Sequence, residues 1–178
     1  MAPAQVGGTA ASEHQRDEDA EDRIVLIDKS AWEQRHHSAA ARERIDRLAV
    51  AGRAATCLPV ALEHLYSARR NEDFTQRRDA LNLLVWLPIT DSVESTALDI
   101  MGRLASKGQH RMPLPDIIIA ATALVHAATI MHYDGDFERI AELTRQSHEW
   151  IVPRGEGHGR GTEDATTAND AVDADEES

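Results

Sequence analysis

The sequence predicts an α/β fold in which a central, mostly parallel sheet is covered by helices on both faces, giving three layers. Two observations lead to this prediction. Short apolar and β-branched runs alternate along the chain with longer segments of helical periodicity. Parallel neighbouring strands also require crossover connections, and the intervening helical segments can supply them.

Net charge is confined to the two ends of the 178-residue chain. Residues 1–22 carry six acids and one Arg, residues 155–178 carry eight acids and one Arg, and residues 23–154 carry 17 acids and 17 bases. Both ends are poor in large apolar residues, so they cannot bury enough surface to offset the entropy lost on ordering. We therefore expect two disordered acidic tails around one domain of residues 23–154, and a neutral domain remains compatible with a nucleic-acid partner.

The first third of the domain is expected to contain two strands. "RIVLI" at 23–27 is a short β-branched run typical of a buried strand. Residues 30–52 show loosely helical spacing of apolar residues and end in a glycine. "AATCLP" at 54–59 is interpreted as the second strand. Pro59 suits the first turn of a helix that continues to residue 70.

The middle of the domain is expected to contain two helices around a weak strand. Residues 73–86 place three apolar residues on one helical stripe and predict a helix. "LPIT" at 87–90 is interpreted as a weak strand. Asp91 and Glu94 have the spacing of a capping box before a helix that ends at Gly108.

The last third of the domain is expected to contain two helices and two strands. Pro115 begins an Ala-rich apolar segment, 116–128, which is too long for a strand and suits a buried helix. "TIMHY" at 129–133 predicts a strand, 136–145 a helix, and "EWIV" at 149–152 a final strand.

Cysteine and hydropathy limit the classes of protein. Cys57 is the one cysteine, which excludes a disulfide framework and favours a reducing cytoplasm. We expect it to be a buried, inert thiol. Apolar runs stay well short of the ~20 residues that a membrane helix needs, so no membrane partner is expected.

Five acids are predicted to meet at the carboxyl edge of the sheet, where ligands bind in such folds. They are Asp28 after the first strand, Glu63 in the helix after the second, Asp116 at a helix start, and Asp134 and Asp136 after "TIMHY".

Each acid also has a purely structural interpretation. Asp28 could cap a helix, Asp116 could favour a helix's positive end, Glu63 could be exposed, and Asp134 and Asp136 could form a turn. Gathered together, carboxylates repel one another unless a cation binds among them. Oxygen ligands without Cys or zinc-type His spacing suit Mg²⁺ or Mn²⁺.

Four motifs carry a resemblance to a known family: "LIDKSAW", "LPVALEHLYSARR", "PLPDIIIAATAL" and "HYDGDFERIA". In order and spacing they resemble the four acidic motifs of PIN domains, and in particular of ribonuclease toxins of the VapBC type. The resemblance covers about residues 24–153 and implies a PIN-like three-layer sandwich. It assigns Asp28, Glu63 and Asp116 as the first three acids, and Asp134 with Asp136 as the fourth.

The resemblance also implies function. It implies Mg²⁺-dependent hydrolysis of RNA phosphodiester bonds, with Mn²⁺ as a possible substitute, a small antitoxin as partner, and a homodimer. The five acids would be catalytic, and the metal ligands would be Asp28, Asp116, Asp134 and Asp136. Ser30 would support the first Asp and lie beside substrate, Lys29 departs from the usual small residue, and Arg69 and Arg70, with Arg77 and Arg78, could meet the RNA backbone.

Two other interpretations remain open from sequence. A PIN fold could persist as a catalytically silent protein-binding module, although all five acids are present. A receiver-type phosphoryl-transfer domain also needs acids at strand ends, but the D-x-D-x-T signature around Asp28 and a Lys after the last strand are missing. The amphipathic character of residues 60–86 favours surfaces for a second subunit or an antitoxin.

Overall fold

The computed structural model describes residues 22–156, which form a five-stranded parallel sheet with strand order β3-β2-β1-β4-β5. The α/β fold predicted from sequence is confirmed. The strands are β1 (Val25–Ile27), β2 (Ala54–Cys57), β3 (Val85–Leu87), β4 (Thr129–His132) and β5 (His148–Trp150).

Seven helices within this described part of the chain connect the strands and cover the sheet. They are α1 (Lys29–Gln34), α2 (Ala39–Val50), α3 (Leu58–Tyr66), α4 (Asn71–Leu81), α5 (Asp91–Ser106), α6 (Leu114–Val125) and α7 (Asp136–Thr144). The long segment predicted as one helix at 30–52 is therefore two, separated where Ser38 caps α2 by accepting a hydrogen bond from the backbone of Ala41.

The central strand β1 shows why the sheet is buried on both faces. Its side chains alternate, as strand geometry requires. Leu26 packs into a core formed with helices α3, α5, α6 and α7, whereas Val25 and Ile27 pack into a second core with α1 and α2. All three residues are fully or nearly fully buried. A three-layer α/β/α arrangement follows directly from this continuous apolar run.

The third strand lies where the sequence predicted a helix. Helix α4 ends at Leu81 and the chain turns through 82–84, so Val85 belongs to β3 and not to a helical stripe. The prediction of one helix over 73–86, followed by a strand at 87–90, is therefore wrong. Val85 pairs with Ala55 of β2, and this long-range pairing overrides a local pattern that a helix fits equally well.

Other element boundaries shift by smaller amounts. Helix α3 ends at Tyr66, four residues earlier than expected, and β5 begins one residue earlier and ends at Trp150. The cap of α5 is Thr90, whose side chain accepts from the backbone of Val93, so the predicted capping box of Asp91 and Glu94 is wrong and both acids lie in the first turn of the helix.

The remaining expectations concern the thiol, the ends and the membrane. Cys57 is fully buried, and burial raises the pKa of its thiol to about 12, as an inert role requires. Apart from Asp22, Gly155 and Glu156, the predicted disordered tails lie outside the described residues. Within residues 22–156, no helix is long and apolar enough to cross a bilayer.

Candidate active site

The five predicted acids are placed by four different crossover connections at the carboxyl edge of the sheet. Asp28 is the residue after β1 and caps α1, whereas Glu63 lies half-buried on α3, which follows β2. Asp116 lies in the first turn of α6. Asp134 follows β4, and Asp136 begins α7. Parallel topology therefore brings together residues that are up to 108 positions apart in the sequence.

Three of these carboxylates meet closely. Oxygen atoms of Asp116, Asp134 and Asp136 all lie within 4.8 Å of one another. Asp28 is outside this set of three among the described residues, but its charge and that of Glu63 both raise the pKa of Asp116. The five acids thus form one electrostatic cluster with a tight centre and two flanking members.

Asp28 is held rigidly from its own helix. Its Oδ2 accepts hydrogen bonds from the backbone N–H of Ser30 at 2.8 Å and from the Ser30 hydroxyl at 2.5 Å. The capping interpretation of Asp28 is therefore correct, and a carboxylate with two oxygens has the capacity to cap a helix and bind another partner at the same time. Asp28 is 5% exposed.

Burial and mutual repulsion raise the pKa of the site acids. The pKa of Asp116 is raised to about 8, mainly by burial and then by the charges of Asp28, Asp134 and Asp136. Burial likewise raises the pKa of Asp28 to about 6, opposed by its bonds with Ser30. For Asp136, burial and Asp134 raise the pKa while Arg139, at 3.1 Å, lowers it.

The segment that carries the fourth acid is tied down by side chains. We call residues 133–136 the acidic loop. The backbone N–H of Tyr133 donates to the Ser30 hydroxyl at 2.8 Å, and the N–H of Asp136 donates to Oδ1 of Asp134 at 3.0 Å. Ser30 consequently joins Asp28 to the acidic loop, so it organises both halves of the site. Gly135 adopts an ordinary right-handed conformation with φ −70°, and the loop does not depend on glycine's freedom there.

A buried histidine that sequence reasoning did not select lies directly behind the acidic loop. His132, the last residue of β4, is 0% exposed, and its Nδ1 accepts the backbone N–H of Asp134 at 3.1 Å. Its Nε2 lies 3.0 Å from Nδ1 of His148. Burial lowers the pKa of His132 to about 4. The available sequence signal was a polar ring ending an otherwise apolar strand.

The basic residues proposed to meet substrate divide into two groups. Arg69, Arg70 and Arg78 are exposed at or near the start of α4 and along it. Arg77 bonds to Asp73 at 2.8 Å and to the carbonyl oxygen of His64 at 3.1 Å, so it joins α4 to α3. Lys29 pairs with Glu33 one turn along α1.

The donor set suits a hard divalent cation. Oxygen ligands around an octahedral Mg²⁺ lie about 2.1 Å from the ion and hence about 3 to 4 Å from one another, so a set within 4.8 Å needs only a small contraction. The pKa of Asp116 is raised first by burial and then by the neighbouring acids, and carboxylates that repel one another are stabilised by a cation bound among them.

The part of the chain that carries these five acids matches the model of a known protein family. The PIN domain family model matches residues 22–143. The chain belongs to the PIN domain family. The match includes all five acids and ends within α7, and the structure adds β5 beyond it, paired with β4.

Individual relatives of this PIN domain agree with the family assignment. Ribonuclease VapC21 of Mycobacterium tuberculosis (strain ATCC 25618 / H37Rv) is 45% identical over 135 residues, covering 73% of this chain and 95% of the relative. Ribonuclease VapC18 of the same organism is 35% identical over 139 residues, covering 74% and 98% respectively. The resemblance noted from the motifs is confirmed.

A solved structure supports the fold independently. VapBC2 from Rickettsia felis, determined bound to a DNA fragment from its promoter, aligns with a TM-score of 0.61 at 18% identity. The alignment covers 71% of this chain and 98% of that chain. At this identity the likeness concerns the fold, and the site must be argued from its own residues.

Proposed function

We propose that this PIN domain is a divalent-metal-dependent endoribonuclease and the toxin of a toxin–antitoxin pair. The observation that carries the proposal is the convergence of Asp116, Asp134 and Asp136 within 4.8 Å, beside buried Asp28. Two relatives, each aligned with this chain over nearly its whole length, are named ribonucleases. RNA is therefore the substrate that this acidic site is best suited to hydrolyse.

The proposed roles follow from position and charge. The metal ligands are Asp28, Asp116, Asp134 and Asp136, and the ion is Mg²⁺, with Mn²⁺ as a substitute. When bound, the cation supplies an activated water and neutralises charge on the phosphate oxygens. Asp116, whose pKa is raised by burial and then by the neighbouring acids, would hold the cation as a carboxylate. Half-buried Glu63 flanks this centre and accepts the proton of the attacking water.

Substrate contacts are proposed for the exposed arginines. Arg69 and Arg70 lie between α3, which carries Glu63, and α4, and both are exposed. Phosphate contacts of this kind position a polyanion without reading its sequence. Ser30 is not proposed to contact RNA directly, because its hydroxyl is bonded to Asp28 and to the N–H of Tyr133. Its proposed role is to orient these two residues. Arg77 is not proposed to contact RNA, because its guanidinium is bonded to Asp73 and to the carbonyl oxygen of His64.

An antitoxin surface is proposed on α3. Leu58, Leu62 and Tyr66 recur every four residues on this helix and are 44%, 57% and 91% exposed. Spacing of i, i+4 and i+8 places them on one face, suited to an apolar segment of a partner. The helix also carries Glu63, so a partner seated there would lie beside the acids. The apolar character expected over 60–86 belongs to α3, whereas α4 is mostly exposed and polar.

A homodimer is proposed through α5 and α6. Leu98 on α5 and Leu114 on α6 are 74% and 63% exposed, which is unusual for large apolar side chains on helices that pack together. Light scattering at micromolar concentration tests this: a dimer is expected, and Leu98→Asp should shift it toward monomer, with Val50→Asp on exposed α2 as the matched control. A monomeric wild-type profile would contradict it.

The catalytic proposal is tested by RNA cleavage. Purified protein is incubated with total RNA in Mg²⁺, then with excess EDTA, and Asp116→Asn and Asp134→Asn are compared with Asp99→Asn, an exposed acid on α5. Cleavage is expected for the wild type and the Asp99 variant only, and only with metal. Metal-independent cleavage, or full activity of Asp116→Asn, would refute the proposal.

The same preparation separates the enzyme from a silent binding module. Purification of the full chain from its native host is expected to yield a complex with a small partner protein that suppresses cleavage, and Leu62→Asp should weaken that complex. Complex formation without any RNA cleavage by the free protein would instead favour the binding module.

A further inference from the structure

The acidic loop is fixed by side chains rather than by regular secondary structure. Its N–H groups at Tyr133, Asp134 and Asp136 donate to Ser30, His132 and Asp134 respectively. Two of these acceptors lie outside the loop. Ser30 approaches from the β1 side and is already joined to a site acid, so His132 is the acceptor that acts on Asp134 itself.

The hydrogen bonds of His132 define its chemical state. Nδ1 accepts the N–H of Asp134 at 3.1 Å and must therefore carry a lone pair. The ring proton is then on Nε2, which donates to Nδ1 of His148 at 3.0 Å. Nδ1 therefore acts as an acceptor and Nε2 as a donor. An Asn side chain at this position could reproduce the acceptor, and a Gln side chain the donor.

The ring is also immobilised by packing. His132 lies 5.2 Å from the ring of Phe137, 4.9 Å from that of Trp150 and 5.2 Å from that of His148, between centroids. Trp150 in turn donates through Nε1 to Glu138 of α7 at 3.0 Å. Because the imidazole is 0% exposed, it touches neither solvent nor substrate, and its hydrogen bond to the backbone of Asp134 links it directly to a site acid.

We propose that His132 is a positioning residue that sets the divalent-cation affinity of the site by holding the backbone of Asp134. Without an acceptor at Nδ1, the N–H of Asp134 loses its partner, and the loop can rotate about 133–134. The carboxylate of Asp134 then leaves the 4.8 Å set that it forms with Asp116 and Asp136. This inference rests on the proposed metal-dependent function.

The test compares two variants whose side chains have the same number of heavy atoms and the same branching. His132→Asn keeps an acceptor near the position of Nδ1, whereas His132→Leu has nearly the same volume and no acceptor. Mn²⁺ binding to the full chain is measured by electron paramagnetic resonance of the free ion, and independently by calorimetry. Groups that orient metal ligands typically change affinity by about 10–100-fold. His132→Leu is expected to weaken Mn²⁺ binding about tenfold, and His132→Asn less than threefold.

Matched controls separate positioning from general loosening. His126→Leu removes a different histidine hydrogen bond, 3.0 Å to the carbonyl oxygen of Pro88, and should lower the melting temperature without changing Mn²⁺ affinity. If His132→Leu fails to fold, His132→Gln, which keeps the contact with His148 but not the acceptor, replaces it and is expected to show the same tenfold loss.

The outcomes distinguish this inference from the proposed function. Equal Mn²⁺ affinity for His132→Asn and His132→Leu, whether both match the wild type or both are weakened, overturns the positioning role. A wild-type protein that binds no Mn²⁺ overturns the proposed metal site, and the inference with it.

Discussion

Replacing Asp116 with Asn should abolish cleavage and, in metal-free protein, make the fold more stable at neutral pH. Asp116 is held by α6 among four other acids, and its pKa is raised to about 8. An amide of the same shape cannot ionise, so it removes both a ligand and the repulsion. A stabilising substitution at a functional acid is the expected signature of a site built for a cation.

The pH dependence of stability has a defined sign. An acid whose folded pKa lies above its unfolded value of 3.8 binds more protons in the folded state between the two values. The contribution of Asp116 to the free energy of unfolding is therefore highest at low pH and falls as pH rises toward about 8. One such proton corresponds to about 1.4 kcal/mol per pH unit, or about 2.7 kcal/mol between pH 5 and 7, and solvent screening of this partly exposed group roughly halves it.

The assay is urea unfolding in EDTA at pH 5, 6, 7 and 8 for the wild type, Asp116→Asn and the control Asp99→Asn. The wild type should lose more stability between pH 5 and 7 than Asp116→Asn does, by about 1.4 kcal/mol. Asp28, whose pKa is raised to about 6, contributes with the same sign in every variant, so some slope remains. Parallel pH profiles for the wild type and Asp116→Asn would refute the reasoning. His132, whose pKa burial lowers to about 4, contributes to the pH dependence with the opposite sign, but it does so in both proteins.

Three further predictions follow from contacts near the site and from the charge pattern. Ser30→Ala removes two hydrogen bonds, and should lower stability by about 1–2 kcal/mol and cleavage at saturating Mg²⁺, whereas Ser30→Thr should restore both. Cys57 should resist a thiol reagent in native protein and react at once in urea; rapid native labelling would show that the strand edge opens. A chain trimmed to residues 23–154 should bind RNA more tightly at low salt, with the difference vanishing as salt rises; identical salt curves would leave the acidic tails a solubility role only.

Sequence alone determined the class of fold and predicted that acids would converge at one edge of the sheet. The strand residues 25–27 are apolar and buried at every position, which is typical of a parallel sheet covered by helices on both faces. Once the strands are parallel, acids that follow them must share an edge. The convergence of Asp116, Asp134 and Asp136 was therefore predictable without coordinates.

Tertiary structure decided what depends on pairing between distant segments. Val85 and its neighbours fit a helix locally, and only the partner strand β2 assigns them to the sheet. Ser30 could be read as a local cap, but its second bond reaches Tyr133, 103 residues away. His132 begins the fourth motif, but the sequence assigned it no role. Its proposed role comes from the enclosure formed by Phe137, His148 and Trp150. Burial in this enclosure leaves each ring nitrogen with a single hydrogen-bond partner.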